Sequence, residues 1–405
     1  MNQTTNLSNQ KEVELQTETR LLKPERAVSS AKRVSFSGKI SIYIDCLQGY
    51  GADKVLVKLA NGLVEQGVSV DLIVAQKIVN PNLKIDNLVN VIQLNSSRFN
   101  PVKNVVCLLR YIRKNKPECL LSSIHFNNVV LASALFLSNT KAKLILRQAN
   151  VLEQQFKGYP SLVSFILYHL LKLAYKKADL LIAPSQAVAF DMKKYLKAKP
   201  DKIKVIHNPT VTLDLFKKAK QDPNHHWFGK NYQIILAVGR LKPQKDFATL
   251  LRAFAKVKQN LANAKLIILG EGFLRQELQN LAIQLKIEQD VDLAGFKKNP
   301  YPFIAKADLF VSSSVYEGLP NVLIEAFALN QRIIATNSNG GSAEILQNGL
   351  YGELVPVENP DLMAEAIERS LTGDSRILKE PRPKHIFNQT SQVNEYIATI
   401  EQLCK

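Results

Sequence analysis

A chain of 405 residues with 46% hydrophobic side chains is longer than one core usually serves, so two domains are expected. The formal charge of +18 and a pI near 9.6 point to anionic partners, yet no zinc-finger spacing, RNP aromatic motif or arginine-rich tail accompanies the lysines, so nucleic acid is not expected among them. Cys46, Cys107, Cys119 and Cys404 lack C-x-x-C spacing, which argues against a zinc site and for a reducing compartment, and no uninterrupted apolar run suits a signal peptide or a membrane span.

Residues 1–38, rich in Gln, Asn, Thr, Ser and charge without periodicity, are expected to form a disordered leader. Order begins with a strand over Lys39–Asp45, then the loop Gln48-Gly49-Tyr50-Gly51 and a helix over Asp53–Gln66 whose Leu56, Leu59, Ala60 and Leu63 fall on one face. A strand at Val68–Val74, a helix near Val102–Lys114, a strand at Cys119–Ile124, a helix at Asn128–Leu137 and a strand at Lys143–Leu146 follow. After the apolar helix Leu162–Tyr175 come a strand at Asp179–Ala183, a helix capped by Ser185 and a strand at Ile203–His207. Such alternation predicts a doubly wound domain over 39–207.

The polar stretch 208–232 reads as an interdomain linker. Alternation restarts over 233–372, with strands at Ile234–Val238, Lys265–Leu269, Val291–Leu293, Leu309–Val311 and Arg332–Ala335. Residues 373–405 carry Phe387, Val393, Tyr396, Ile397 and Ile400, the pattern of a closing amphipathic helix packed back on the N-terminal domain. The fold class is therefore α/β: two Rossmann-like doubly wound domains facing a cleft, where ligands bind beyond the strand C-termini.

The strand Ile234–Val238 runs into Gly239-Arg240-Leu241-Lys242-Pro243-Gln244-Lys245 just before a helix. Gly allows a tight turn there, and cations beside free helix N–H groups suit a diphosphate. Further on, Glu317 and Glu325 flank seven residues, Gly318 to Ile324. A helix beginning at Pro320 or Asn321 would leave Glu317 in the loop and Glu325 in the helix, so the two carboxylates serve different roles.

The ordered set resembles glycosyltransferase family 4 and the wider GT-B group. It comprises Gly51-Ala52-Asp53, Ala178-Asp179-Leu180 through Ser185, His207-Asn208-Pro209, Gly239-Arg240 with Lys245, Gly270-Glu271-Gly272 with Arg275, Gly295-Phe296, the Glu317/Glu325 run, Gly340-Gly341-Ser342-Ala343-Glu344-Ile345 and Gly349 to Pro356. The resemblance implies that Arg240 and Lys245 neutralise the donor phosphates and the departing nucleotide. It further implies that Glu325 accepts from the ribose hydroxyls, that Glu317 contacts the donor sugar, and that backbone N–H groups between Leu319 and Val322, including Asn321, reach sugar or phosphate beside Gly318. Gly51 and Gly239 would let backbone approach the donor. His125, at the end of a strand, stands near the position where relatives place a histidine facing the sugar, although Ser122-Ser123-Ile124-His125-Phe126 departs from their His-x-His form.

Asp290-Val291-Asp292 mimics a D-x-D metal motif but sits at a strand start, so no metal site and no cofactor are expected; the nucleotide sugar is a substrate. The expectation is a retaining, metal-independent hexosyltransferase, taking a hexose or N-acetylhexosamine from a UDP-sugar to a lipid-linked or cell-surface glycan precursor. Two alternatives share the architecture: a UDP-sugar epimerase, and a non-catalytic nucleotide-sugar-binding protein. The helix Leu162–Tyr175, followed by Lys176 and Lys177, is either a buried lobe helix or a contact with an anionic membrane surface, the latter implying a cytoplasmic protein peripheral to the inner face of the membrane.

Overall fold

The computed structural model describes residues 36, 38–49, 51–76, 83–97, 100–156, 160–373 and 382–405; nearly all of the expected leader, and Tyr50, lie outside them. The N-lobe runs β1 (Lys39–Ile44), α1 (Gly51–Glu65), β2 (Ser69–Val74), β3 (Asn90–Gln93), α2 (Pro101–Asn115), β4 (Cys119–Ser123), α3 (His125–Ser138), β5 (Lys143–Arg147), α4 (Leu152–Phe156), α5 (Ser161–Lys177), β6 (Leu180–Ala183), α6 (Gln186–Leu196) and β7 (Ile203–Val205). Its seven strands pair in parallel in the order β3-β2-β1-β4-β5-β6-β7. Central strands such as β1 and β4 are buried along almost their whole length, as a sheet covered on both faces requires.

The C-lobe continues with α7 (Leu213–Ala219), β8 (Gln233–Val238), α8 (Phe247–Asn260), β9 (Ala264–Leu269), α9 (Arg275–Gln284), β10 (Val291–Gly295), α10 (Tyr301–Lys306), β11 (Leu309–Ser312), α11 (Asn321–Ala328), β12 (Ile333–Thr336), α12 (Ser342–Ile345), β13 (Glu353–Val355) and α13 (Pro360–Thr372), and the chain closes with α14 (Gln389–Cys404). Its sheet is again wholly parallel, ordered β10-β9-β8-β11-β12-β13.

Each sheet reverses its winding once, between β1 and β4 in the N-lobe and between β8 and β11 in the C-lobe. The connections leaving two such neighbouring strands turn to opposite faces, which opens a crevice at their C-terminal ends. The loop carrying Gly49 and the start of α3 at His125 leave the first switch point; the loops carrying Gly239 to Lys245 and Ser313 to Pro320 leave the second.

Residues 208–232 are more than a linker: Val211, Leu215, Phe216, Ala219 and Trp227 are buried in the C-lobe core, and α7 is capped by Thr212, whose hydroxyl accepts from Leu215 N. The C-terminal stretch likewise divides. Arg382 donates to the carbonyls of Phe327, Gln331 and Tyr351, and Phe387 lies in the C-lobe core. Beyond them Val393, Tyr396, Ile397 and Ile400 of α14 join the N-lobe core beside Leu56 and Leu63 of α1. The chain thus crosses back to the first lobe. There α14 brings the Cys404 sulfur 3.2 Å from that of Cys119, a proximity that sequence spacing did not suggest.

Candidate active site between the lobes

Two C-lobe loops build one wall of the cleft, and hydrogen bonds stitch them together. Ser313 donates from its hydroxyl to Lys245 O (2.7 Å), Val315 N donates to Gln244 O (2.9 Å), and the Gln244 amide donates to Tyr316 O (2.8 Å) and Glu317 Oε2 (3.3 Å). A short 3-10 turn, Pro243–Lys245, aims Lys245 across this seam so that Nζ meets Glu317 Oε1 at 2.5 Å, where Ser314 also donates at 3.0 Å. Glu317 is only 9% exposed, and Lys245, Ser314 and Gln244 are the groups that meet its two oxygens. The Lys245 stem lies over Gly239, where a Cβ would sit 3.0 Å from its Cε.

Arg240 is exposed at the mouth of this turn. Lys242, which sequence reasoning passed over, belongs to the same cluster. Burial, followed by the charges of Arg240 and Lys245 and only partly opposed by Glu317, lowers its pKa to about 8. Arg240, Lys242 and Lys245 thus gather at one loop, where Glu317 pairs with Lys245.

Glu325 occupies a second, buried position within α11, 8% exposed, and accepts a hydrogen bond from the Tyr301 hydroxyl (3.3 Å). Burial raises its pKa while Lys58 and Lys54 of α1 oppose that rise. Lys58 is itself shifted downward by burial against the pull of Glu325, and it donates to Thr210 O at 2.8 Å. Glu317 and Glu325 therefore stand in different environments on either side of the α11 N-terminus. Close by, Gly49, Lys54, Leu83 and Lys84 of the N-lobe face Lys218, Phe296 and Lys298 across a cavity of about 80 Å³. Four of these seven residues are lysines, of which Lys218 is paired with Asp214 at 2.5 Å.

The segment Gly318–Asn321 holds the lobes together. Gly318 packs so tightly against the Ala149–Asn150 backbone that a Cβ would lie 2.1 Å from Ala149 O, and its carbonyl accepts from Ser185 Oγ at 2.8 Å. The same hydroxyl caps α6. The Leu319 carbonyl and the Asn321 side-chain oxygen both accept from Asn208 (3.1 and 2.7 Å), and Asn321 Nδ2 donates to Gly51 O at 3.3 Å. Leu319 is buried and Val322 half-buried. Of these residues, expected to meet the donor, Gly318 and Leu319 turn their carbonyls and Asn321 its side chain toward Ser185, Asn208 and Gly51, while the Leu319 and Val322 side chains pack on the C-lobe core. Asn208 is in turn held by the buried Arg147 guanidinium, which also donates to Ser123 Oγ (2.9 Å). A second interlobe contact runs through Glu344, which accepts from Gln186 N (2.8 Å) and meets His207 Nε2 (2.7 Å).

On the N-lobe wall, Asp53 Oδ2 accepts the backbone N–H groups of Gln48 and Gly49 (3.0 and 3.1 Å), shaping the loop that leads to Gly51. His125 is the first residue of α3 rather than the last of a strand. It is 6% exposed, and its ring lies 6.3 Å from that of Phe156.

Asp290 and Asp292 are structural. Burial would raise the Asp290 carboxyl, but Lys265 and Lys258 outweigh it and hold it low, and Asp292 meets His225 Nε2 at 2.9 Å. Among the described residues no three His, Cys, Asp or Glu side chains converge as metal ligands would, and no helix is long and apolar enough to cross a membrane.

Comparison with known proteins gives this geometry a family. A model described as Glycosyltransferase Family 4 matches residues 50–212, and one described as Glycosyl transferases group 1 matches residues 218–385. The N-acetylgalactosamine-N,N'-diacetylbacillosaminyl-diphospho-undecaprenol 4-alpha-N-acetylgalactosaminyltransferase of Campylobacter jejuni is 29% identical over 346 residues, 83% of this chain and 91% of that relative. Among solved structures, a glycosyltransferase from Rickettsia africae superposes with a TM-score of 0.70 at 18% identity, covering 91% of this chain and 99% of its own. Anabaena HepE in complex with UDP superposes at 0.68 and 20% identity, covering 90% and 97%. With both lobes matched in order and the two-lobed GT-B architecture shared, this chain belongs to the family 4, group 1 glycosyltransferases and is a transferase enzyme.

Proposed function

We propose that the enzyme moves a hexose or N-acetylhexosamine, with retention of anomeric configuration, from a UDP-sugar to a lipid-linked glycan precursor, working at the inner face of the membrane. The observation that carries this reading is that one lobe holds both a cationic loop, Arg240, Lys242 and Lys245, and the buried Glu325–Tyr301 carboxylate site. A nucleoside diphosphate offers the complementary groups: phosphates for the cations and ribose hydroxyls for a buried carboxylate whose upward shift is opposed by nearby lysines.

In this reading Lys245 and Arg240 stabilise the charge that grows on the leaving diphosphate as the sugar–phosphate bond breaks, which is where preorganised charge lowers a barrier most. Glu317 holds the Lys245 ammonium in place and presents its carboxylate to the sugar. The contacts of Gly318 and Asn321 with the N-lobe bring the acceptor wall to the donor and exclude water. Related proteins support the substrate classes: HepE has been solved with UDP and with UDP-glucose, and the Campylobacter relative is named for an undecaprenol diphosphate acceptor.

Thermal-shift titration with UDP, GDP and ADP tests the donor half. A UDP-selective stabilisation that Lys245→Ala abolishes is expected; equal responses to all three nucleotides, or an undiminished response in the variant, would sink it. Product analysis by NMR tests retention, since an inverted anomeric centre contradicts it.

A further inference from the structure

We infer that the outer face of α5, with the neighbouring ends of α3 and α6, is a docking surface for an anionic lipid bilayer. The helix buries one narrow stripe, Leu167, Leu171, Ala174 and Tyr175, against the N-lobe. Its other large apolar residues face solvent: Leu162 is 68% exposed, Phe165 62%, Leu173 56% and Ile166 50%, with Val163 and Leu170 nearly as open. Phe136 on α3, 71% exposed and lying under the Lys177 ammonium, widens the patch, and Phe190 on the neighbouring α6 is about as exposed. A helix of this length extends about 25 Å, so the apolar area far exceeds the scattered exposure ordinary for a monomer.

Charge decides between occupants. Lys172, Lys176 and Lys177 end α5, and Lys193, Lys194 and Lys197 end or cap α6, whereas the sole acidic side chain on α3, α5 and α6, Asp191, is buried and accepts from Leu152 N at 2.7 Å. A second copy pairing through the same face would set lysine against lysine. An anionic bilayer accepts both parts: apolar side chains enter the acyl boundary while the long lysine stems keep their ammonium groups among the headgroups.

The patch also adjoins the cleft. Ser164 of α5 donates to Phe156 O at 2.9 Å, the Phe156 ring neighbours both Tyr168 and His125, and residues 149–150 just before α4 touch Gly318. A bilayer under α5 would therefore lie beside the acceptor wall. This consequence rests on the lipid-linked acceptor proposed above; the docking itself does not.

Flotation of the full chain with vesicles of phosphatidylcholine, or of phosphatidylcholine and phosphatidylglycerol in equal parts, tests it. Binding is expected to the anionic vesicles alone and to weaken with salt. Phe165→Ser with Leu173→Ser should lower the partition coefficient on the order of a hundredfold, and Lys176→Glu with Lys177→Glu on the order of tenfold or more, with the UDP thermal shift of each variant unchanged. Wild type that fails to float with anionic vesicles, or variants that float undiminished, overturns the inference. A dimer in sedimentation velocity that the Phe165/Leu173 variant dissolves would also overturn it, assigning the face to self-association. Flotation retained without any nucleotide response would instead refute the donor reading and leave the docking surface standing.

Discussion

Lys242 offers a quantitative test of the phosphate site. Its pKa of about 8 reflects burial beside Arg240 and Lys245, so half of it is neutral in the free enzyme at that pH. A diphosphate bound among these cations favours the ammonium and returns the pKa toward the ordinary lysine value of about 10.4. The binding constant then falls about tenfold between pH 7 and pH 9, about 1.4 kcal/mol, because the enzyme must take up a proton to bind. Calorimetry of UDP binding across that range, in buffers of different ionisation enthalpy, measures both the affinity and the proton uptake. Lys242→Met should bind more weakly at pH 7 and lose the slope. A flat wild-type profile, or a slope that survives in the variant, would refute the reasoning. Stability follows the opposite sign. Between about pH 8 and 10.5 the unfolded chain keeps a proton that the folded one has released, so this lysine makes folding more favourable as pH rises through that window.

The remaining predictions concern other parts of the cleft. Lys245→Met leaves Glu317 buried with only Ser314 and Gln244 as partners; kcat should fall on the order of a hundredfold or more, measured as UDP release with acceptor present. Glu325→Ala should weaken UDP roughly ten- to a hundredfold and abolish discrimination against 2′,3′-dideoxy-UDP in competition assays. Because burial raises the Glu325 pKa, wild-type UDP affinity should begin to fall at a higher pH than an ordinary carboxylate would dictate as the solution is acidified, and Glu325→Gln should remove that limb. Gly318→Ala drives a Cβ into Ala149 O and should cut kcat/KM on the order of a hundredfold through lobe misplacement, with UDP binding largely kept. Glu344→Gln loosens the link to His207 and Gln186, and a larger radius of gyration by small-angle scattering is expected.

Periodicity along the chain was enough to read most of the architecture. Continuous apolar strands such as Ile40–Ile44 and Ile234–Val238, alternating with helices of 3.6-residue period, can satisfy their backbones only in covered parallel sheets, so two doubly wound lobes and the cleft between them follow from pattern alone. The edge strand Asn90–Gln93 escapes such reading because its two half-buried residues, Val91 and Ile92, stand between two exposed ones, and α7 escapes it because only Leu215, Phe216 and Ala219 form its buried stripe. Motif spacing placed Gly239, Arg240 and Lys245 on one loop, Glu317 on the adjoining one and Glu325 in the helix that follows it, since short loops after neighbouring strands cannot lie far apart.

Tertiary structure alone decided which groups meet. That Lys245 pairs with Glu317 and that Tyr301 and Lys58 attend Glu325 depend on contacts between residues far apart in sequence, and that Lys242 loses affinity for its proton depends first on burial. It alone showed Gly318 and Asn321 engaged with the opposite lobe, and His125 opening a helix under Phe156. The apolar helix α5 makes the same point. Its composition fits a buried or a lipid-facing role equally well, because hydrophobicity fixes what a side chain avoids, and only the packing of the neighbouring helices leaves that face uncovered.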